Sequence, residues 1–245
     1  MERKNFLKAF VLAAAAGPLL IDSCSKENTT KTTTTSTATA TTDSGCIVTA
    51  TETEGPYPYP GGELTNPLER SNITEGTQTG VPLTLTITVV NVDSSCALVE
   101  NARVDIWHCN KDGYYSGYAN QPGILGSKSY TGQTFLRGYQ ITDANGQVKF
   151  VTIFPGWYSG RTTHIHFEVY VNNVMKKTTQ IAFTQSIVDA VDVSTLYASL
   201  GVNPITNASD SIMGDSATDL ANETVSLSGS ISAGYTGNYT IGLAL

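Results

Sequence analysis

From about residue 80 onward the chain reads with a period of two. PLTLTITVVNV (82–92) alternates apolar residues with threonine and is rich in β-branched side chains, which predicts a strand with one buried face. A turn at DSS separates it from a second predicted strand, ARVDIWHCN (102–110). FLRGYQITDANGQVKFVTIFPGWY (135–158) reads as a strand, an Asn145-Gly146 hairpin turn and a strand, and HIHFEVYVNNVMKKTTQIAF (164–183) repeats the pattern around Asn172-Asn173. The helical signal is confined to SIVDAVDVSTLYASLG (186–201), residues 206–229 are polar and weakly patterned, and GYTGNYTIGLAL (234–245) closes with a strand. The expected fold is therefore all-β, an antiparallel β-sandwich of the prealbumin-like kind, with function in the loops and strand ends at one edge.

Two stretches fall outside this rhythm. TETEGPYPYPGGEL (51–64) is rich in proline and glycine and predicts an ordered but irregular arm. Residues 111–138 are dense in Gly, Tyr, Ser and Asn and read as a loop whose length points to a functional role.

The first 45 residues have a different composition. Arg3 and Lys4 precede AFVLAAAAGPLLI, an apolar run too short to span a bilayer comfortably, followed by Ser23 and Cys24. Residues 1–23 read as a signal peptide. Ile21-Asp22-Ser23-Cys24 is similar to a bacterial lipobox, with Asp22 an unusual occupant, and would make Cys24 a lipidated first residue. ERKNFLK also resembles a relaxed twin-arginine export signal, with lysine at the second basic position. NTTKTTTTSTATATTDS (28–44) holds almost nothing that can be buried, so residues 24–45 read as a flexible threonine-rich tether. Residues 46–245 are then one domain, exported to the envelope, periplasm or exterior, with any membrane contact made through the anchor at Cys24.

Fourteen Lys plus Arg stand against twenty-one Asp plus Glu, a formal net charge of −7. That balance argues against nucleic-acid binding and a polybasic membrane patch. In an exported chain disulfides persist, so Cys46, Cys96 and Cys109 predict one bridge and one leftover thiol. Cys46 with Cys96 is the preferred pairing because both flank strands. No CxxC spacing suggests structural zinc.

The candidate chemistry lies in PGWYSGRTTHIHFEVY (155–170), in a chain with only three histidines. On a strand His164 and His166 point to the same face, roughly 7 Å apart, so both imidazoles can converge on one ion while Ile165 packs behind them. An isolated HxH also fits a surface strand. Tyr158 in PGWY and Tyr115 in DGYYSGY favour the metal reading. Phenolates are hard, anionic, strongly donating ligands, and two of them favour iron(III) over iron(II). His108 follows Trp107 on a strand and reads as a packed, hydrogen-bonded histidine, Trp107 and Trp157 as core or pocket wall, and Asp143, Asn145 and Gly146 as turn residues.

The order of these motifs resembles the intradiol ring-cleavage dioxygenases, within them the exported lipoprotein-like branch. The resemblance runs from about Cys46 to Phe183 and is strongest in VDIWHCNKDGYYSGY and FLRGYQITDANGQVKFVTIFPGWYSGRTTHIHF, with TEGPYPYPGG similar to the family's N-terminal arm. It implies non-haem Fe(III) held by Tyr115, Tyr158, His164 and His166, with Tyr114 and Tyr118 as nearby competitors for the first position. It implies roles for Arg161 and Gln180 toward substrate and intermediate, and a reaction in which a catechol and O2 give a muconate-type diacid, with Tyr158 the ligand that swings away. Arg161 also fits a salt-bridged surface arginine. Tyr57 and Pro56 either line the substrate pocket or cover a sheet edge. Only five residues separate Tyr158 from His164, fewer than in catechol and protocatechuate dioxygenases, which implies a more open site; a neutral catechol is the expected substrate, since no basic residue beyond Arg161 is evident for a carboxylate. The competing classes are a non-catalytic, envelope-anchored transthyretin-like or carbohydrate-binding sandwich, which leaves the tyrosine and histidine pairs without a purpose, and a histidine-copper or zinc redox protein, which gives Tyr115 no role.

Overall fold

A computed structural model of the protein describes residues 46–245. The expectations for the signal peptide, Cys24 and the tether lie outside the described residues. Ten strands and two short helices follow in order: β1 (Pro82–Asn91), β2 (Ala97–Leu98), β3 (Arg103–Trp107), β4 (Arg137–Ile141), β5 (Gln147–Ile153), β6 (His164–Val171), β7 (Val174–Phe183), α1 (Gln185–Asp192), α2 (Ala217–Glu223), β8 (Thr224–Val225), β9 (Leu227–Ser230) and β10 (Gly234–Leu243). They form two five-stranded sheets. In one, β1 pairs with β10 on one side and with β5 and β2 on the other, and β9 borders β10; the second runs β4-β3-β6-β7-β8.

The all-β expectation holds, with two amendments. Strands β1 and β10 pair in parallel over a continuous register from Leu83↔Tyr235 to Asn91↔Leu243, and β7 pairs with β8 in parallel. Parallel neighbours need a long connection, and between β1 and β10 most of the domain supplies it. The predicted Asn145-Gly146 hairpin is a corner between sheets: β4 pairs with β3, whereas β5 pairs with β1. Asp143 still makes the turn, accepting from the amides of Asn145 (2.8 Å) and Gln147 (2.9 Å), but the strands leaving it diverge. Asn172 and Asn173, both at positive φ, do close the β6–β7 hairpin. In the polar C-terminal stretch the sequence pattern missed α2, whose first turn Ser216 caps by accepting from the amide of Asp219 (3.2 Å).

Period-two patterning explains the core. Leu83, Leu85, Ile87 and Val89 from β1 meet Val104, Ile106, Ile165, Phe167 and Val169 from the second sheet, all buried. The other face of the second sheet carries Asp105, Trp107, His164, His166, Glu168 and Tyr170, and it is buried as well. The proline-rich arm covers it. Cys46 is bonded to Cys96, the Glu52 amide donates to the Thr178 carbonyl (3.0 Å), and Lys177 Nζ donates to the Thr49 carbonyl (2.6 Å). Farther along, Arg103 Nη2 donates to the Glu63 carbonyl (2.5 Å).

Candidate active site

Two loops cross at the rim of the second sheet, and backbone contact fixes their crossing. Asn110 accepts through its carbonyl from the Gly156 amide (3.1 Å) and through Oδ1 from the Tyr114 amide (3.0 Å). A β-carbon on Gly156 would stand 2.4 Å from the Lys111 carbonyl oxygen, and one on Gly113, at φ +85°, would stand 2.2 Å from that of Trp157. Only glycine permits this approach at both positions. It brings Tyr115 on one loop beside Tyr158 on the other, ring centroids 5.8 Å apart.

Strand β6 supplies the imidazoles. His164 Nε2 lies 3.1 Å from His166 Nε2 and 3.5 Å from Tyr115 Oη, and its ring centroid is 5.6 Å from that of Tyr158. All four sequence-predicted donors therefore converge. The neighbouring tyrosines turn away: Tyr114 Oη donates to the Gly126 carbonyl and Tyr118 Oη to that of Pro58, each at 2.6 Å.

The electrostatics of this cluster follow from burial. His164 Nδ1 is 2.6 Å from the Thr162 carbonyl oxygen, which can only accept, so Nδ1 carries the proton and Nε2 presents a lone pair. Burial foremost, then the Arg161 charge, pushes the His164 pKa down to about 3, and burial followed by His164 holds His166 well below its ordinary value. His166 Nδ1 has no partner at hydrogen-bonding distance and angle, although the Thr53 backbone is near enough to oppose the shift. Burial raises Tyr115 well above the usual phenol value, and raises Tyr158 to about 12 against the pull of Arg161. Without a cation the cluster is thus two neutral bases and two neutral phenols. Among the described residues no group of three or more His, Cys, Asp or Glu gathers to hold a metal ion, so a metal here would need the phenols. Two buried imidazoles with facing nitrogens and two phenols unable to ionise alone suit a small, highly charged cation.

Arg161 is buried beside the cluster. Its Nε donates to Asp210 Oδ2 (2.9 Å) and Oδ1 (3.2 Å), and its Nη2 to Gln180 Oε1 (2.6 Å). Gln180 Nε2 donates to the Thr53 carbonyl (2.7 Å), tying this pair to the arm. The alternative of a surface salt bridge for Arg161 is thereby replaced by a buried one. Tyr57 from the arm stacks on Tyr115, centroids 4.8 Å apart, and lines a recess of about 460 Å3 with Pro122, Gly123, Ile124, Tyr158 and Ser159. Pro56 is exposed and does not line that recess. His108 is buried as expected, between the Cys109 carbonyl and Thr152 Oγ1, both at 2.7 Å. Cys109 is a buried free thiol.

Three residues of the site escaped the sequence reading. Asp210 lies in the weakly patterned stretch, where no signal marks it. Gln121 accepts from the Tyr115 amide (2.8 Å) and donates to the Tyr115 carbonyl (2.7 Å), a role hidden in an ordinary loop sequence. Arg137 is fully buried and donates to Ser116 Oγ (3.0 Å) and the Tyr57 carbonyl (2.7 Å), with Nη1 left unpartnered.

Comparison with known proteins agrees with this geometry. Residues 53–198, more than half of the chain, match the family described as Dioxygenase. The protocatechuate 3,4-dioxygenase beta chain of Burkholderia cepacia is 30% identical over 119 residues, 45% of this chain and 49% of that protein. Catechol 1,2-dioxygenase of Acinetobacter baylyi is 33% identical over 100 residues, 33% of this chain and 30% of that one. The chain thus spans about half the length, or less, of these curated relatives. Among solved structures, an intradiol ring-cleavage dioxygenase from Tetranychus urticae is 29% identical with a TM-score of 0.69, over 81% of this chain and 95% of that one. The dioxygenase domain of a carbohydrate-binding fusion from Streptomyces sp. SirexAA-E shares the fold, with a TM-score of 0.57 at 22% identity, over 81% of this chain and 99% of that one. The fold is the β-sandwich of the dioxygenase structures it resembles. The chain belongs to the intradiol ring-cleavage dioxygenase family.

Proposed function

We propose that the protein is a non-haem iron(III) intradiol dioxygenase that inserts both atoms of O2 into catechol-type aromatics to give muconate-type diacids. The observation that carries this reading is the convergence of Tyr115, Tyr158, His164 and His166, with His164 Nε2 within 3.5 Å of both His166 Nε2 and Tyr115 Oη. Those four side chains are the ones we assign to hold the metal. When bound, ferric ion supplies Lewis-acid polarisation of the catechol and a template for its orientation. Family membership favours this over a non-catalytic binding module.

The chain's own residues would divide the remaining work. Tyr158 is half-buried at the recess whereas Tyr115 is sealed, so Tyr158 has room to move, and we assign its oxygen, which would be a phenolate while it holds the metal, to take a proton from an entering catechol hydroxyl and become the neutral phenol. Arg161, held by Asp210 and Gln180, stabilises negative charge growing on the ring without having to reorganise. Tyr57 offers its ring to the substrate while its stack shields Tyr115 from water. Export to the cell envelope, with a lipid anchor at Cys24, belongs to the same reading and rests on the sequence of residues 1–45.

The direct test is colour. Protein loaded with iron should show a visible tyrosinate-to-iron(III) band that shifts when catechol is added without oxygen and bleaches on turnover. Tyr158→Phe should alter the band and slow catalysis, and His166→Ala should release iron. Protein that stays colourless with iron, or that cleaves catechol without iron, overturns the assignment.

A further inference from the structure

The recess beside Tyr57 and Tyr158 has a volume of about 460 Å3, inside the range of small-molecule sites, roughly 300–1,000 Å3. It adjoins the four-donor cluster through Tyr158, one of the donors, and through Tyr57, which stacks on Tyr115. None of the six residues that line it is charged. Of the cations around the site, Arg161 is paired with Asp210 and Gln180, Arg137 is buried and donates to Ser116 and the Tyr57 carbonyl, Lys111 is paired with Asp112 at 2.6 Å, and Lys128, on the same loop, is exposed and not part of the lining.

The outer wall is held in register with the metal site. Gln121, buried, clasps both backbone groups of Tyr115 through its side chain. Its own backbone exchanges two hydrogen bonds with Lys128, at 2.8 and 3.1 Å, closing the loop that carries Pro122, Gly123 and Ile124. Tyr114 Oη donates to the Gly126 carbonyl of the same loop, and a β-carbon on Gly123 would stand 2.5 Å from that hydroxyl. Ile124 is 51% exposed, an apolar side chain presented at the mouth by a loop anchored to Tyr115.

We propose that this recess selects catechols bearing an uncharged apolar substituent, and that Ile124 is the residue that discriminates them from carboxylated catechols. The proposal rests on the catechol reading above and deepens it. A ring carboxylate entering here loses water and meets no cation in the lining, whereas a methyl group gains burial against Ile124 and Pro122, worth about fourfold in affinity. The acidic chain adds a further penalty for an anion.

The test is anaerobic titration of the iron-loaded full chain with catechol, 4-methylcatechol and protocatechuate, reading Kd from the shift of the visible band, with kcat/KM measured in parallel. Expected are tighter binding of 4-methylcatechol than of catechol by about fourfold and weaker binding of protocatechuate by at least about tenfold. Ile124→Lys should move the protocatechuate to 4-methylcatechol affinity ratio toward protocatechuate by about tenfold or more. Val174→Lys, at the start of β7 in the exposed β6–β7 hairpin, adds the same charge and should leave the ratio where it was. Equal or tighter binding of protocatechuate by the unaltered protein, or a ratio that Ile124→Lys does not move, overturns the selectivity while leaving the catechol reading intact. Failure of every catechol to shift the band overturns both.

Discussion

Trp107 lies flat against His166, ring centroids 4.9 Å apart and planes within 5°. Strand pairing sets this contact, because Trp107 on β3 is the register partner of His166 on β6. Both are buried, so the indole fixes the plane of an imidazole whose Nδ1 has no hydrogen bond to fix it. Trp107→Ala is expected to cost about 3–5 kcal/mol of stability and to lower iron stoichiometry even in the folded fraction. Trp107→Phe, which keeps a flat face, should retain most of the metal. Chemical denaturation and metal analysis on the same preparations check both.

Gly55 closely approaches the same imidazole. A β-carbon there would stand 3.0 Å from His166 Cε1, and the backbone sits at φ +70°. Gly55→Ala therefore combines an unfavourable backbone conformation, about 1 kcal/mol, with a push on the ring. Stability should fall modestly while iron retention falls more. Metal analysis beside a melting curve separates the two effects.

Asp210 is the partner that gives Arg161 a fixed direction. Besides the guanidinium it accepts from the amides of Thr162 (2.6 Å), Ile212 (2.8 Å) and Met213 (3.0 Å), and these hydrogen bonds together with Arg161 hold its carboxyl below the usual range against the effect of burial. Asp210→Ala leaves a buried guanidinium unpaired and should destabilise by about 3–5 kcal/mol. Asp210→Asn keeps the shape and unbalances the charge. In that variant kcat should change by more than KM, as steady-state kinetics on catechol would show.

Glu63 carries a pH signature. Burial raises its carboxyl from 4.5 to about 7, against the Tyr59 amide that donates to Oε1 at 2.5 Å, and Oε2 has no partner. A raised folded-state value means the native form holds a proton that the unfolded chain releases sooner. Its contribution is therefore complete below about pH 4.5, is lost as pH rises through about 7, and stays flat above. Glu63→Gln should remove this loss, so that the stability difference between the two proteins shifts by about 3 kcal/mol between pH 4.5 and 8. Urea unfolding across that range reads it.

Much of this was legible in the sequence, for physical reasons that differ by element. The alternation in PLTLTITVVNV and HIHFEVYV gives β1 and β6 and their faces, because a half-apolar strand has one register that buries its apolar set. The same alternation put His164 and His166 on one side, and the Cys46–Cys96 bond matches the preferred pairing. Turn chemistry was ambiguous: Asn172-Asn173 closes a hairpin, while Asp143-to-Gly146 chemistry serves equally at a corner between sheets. Asp210 and Arg137 were invisible because their roles are made by contacts across 49 residues to Arg161 and 80 residues to Tyr57. Nothing local marks a charge whose partner is that remote.

Strand β1 has β10 as its neighbour along one edge, so the middle of one sheet is stitched from segments some 150 residues distant along the polypeptide. Until Gly234–Leu243 arrives, β1 keeps a bare row of amides and carbonyls over its whole length, a docking edge for any other strand. Assembly of such a domain waits on its last segment, and closure of that long excursion makes folding slow rather than stepwise from the beginning. A version shortened before residue 234 should accumulate as aggregates, however complete the loops that carry Tyr115 and Tyr158.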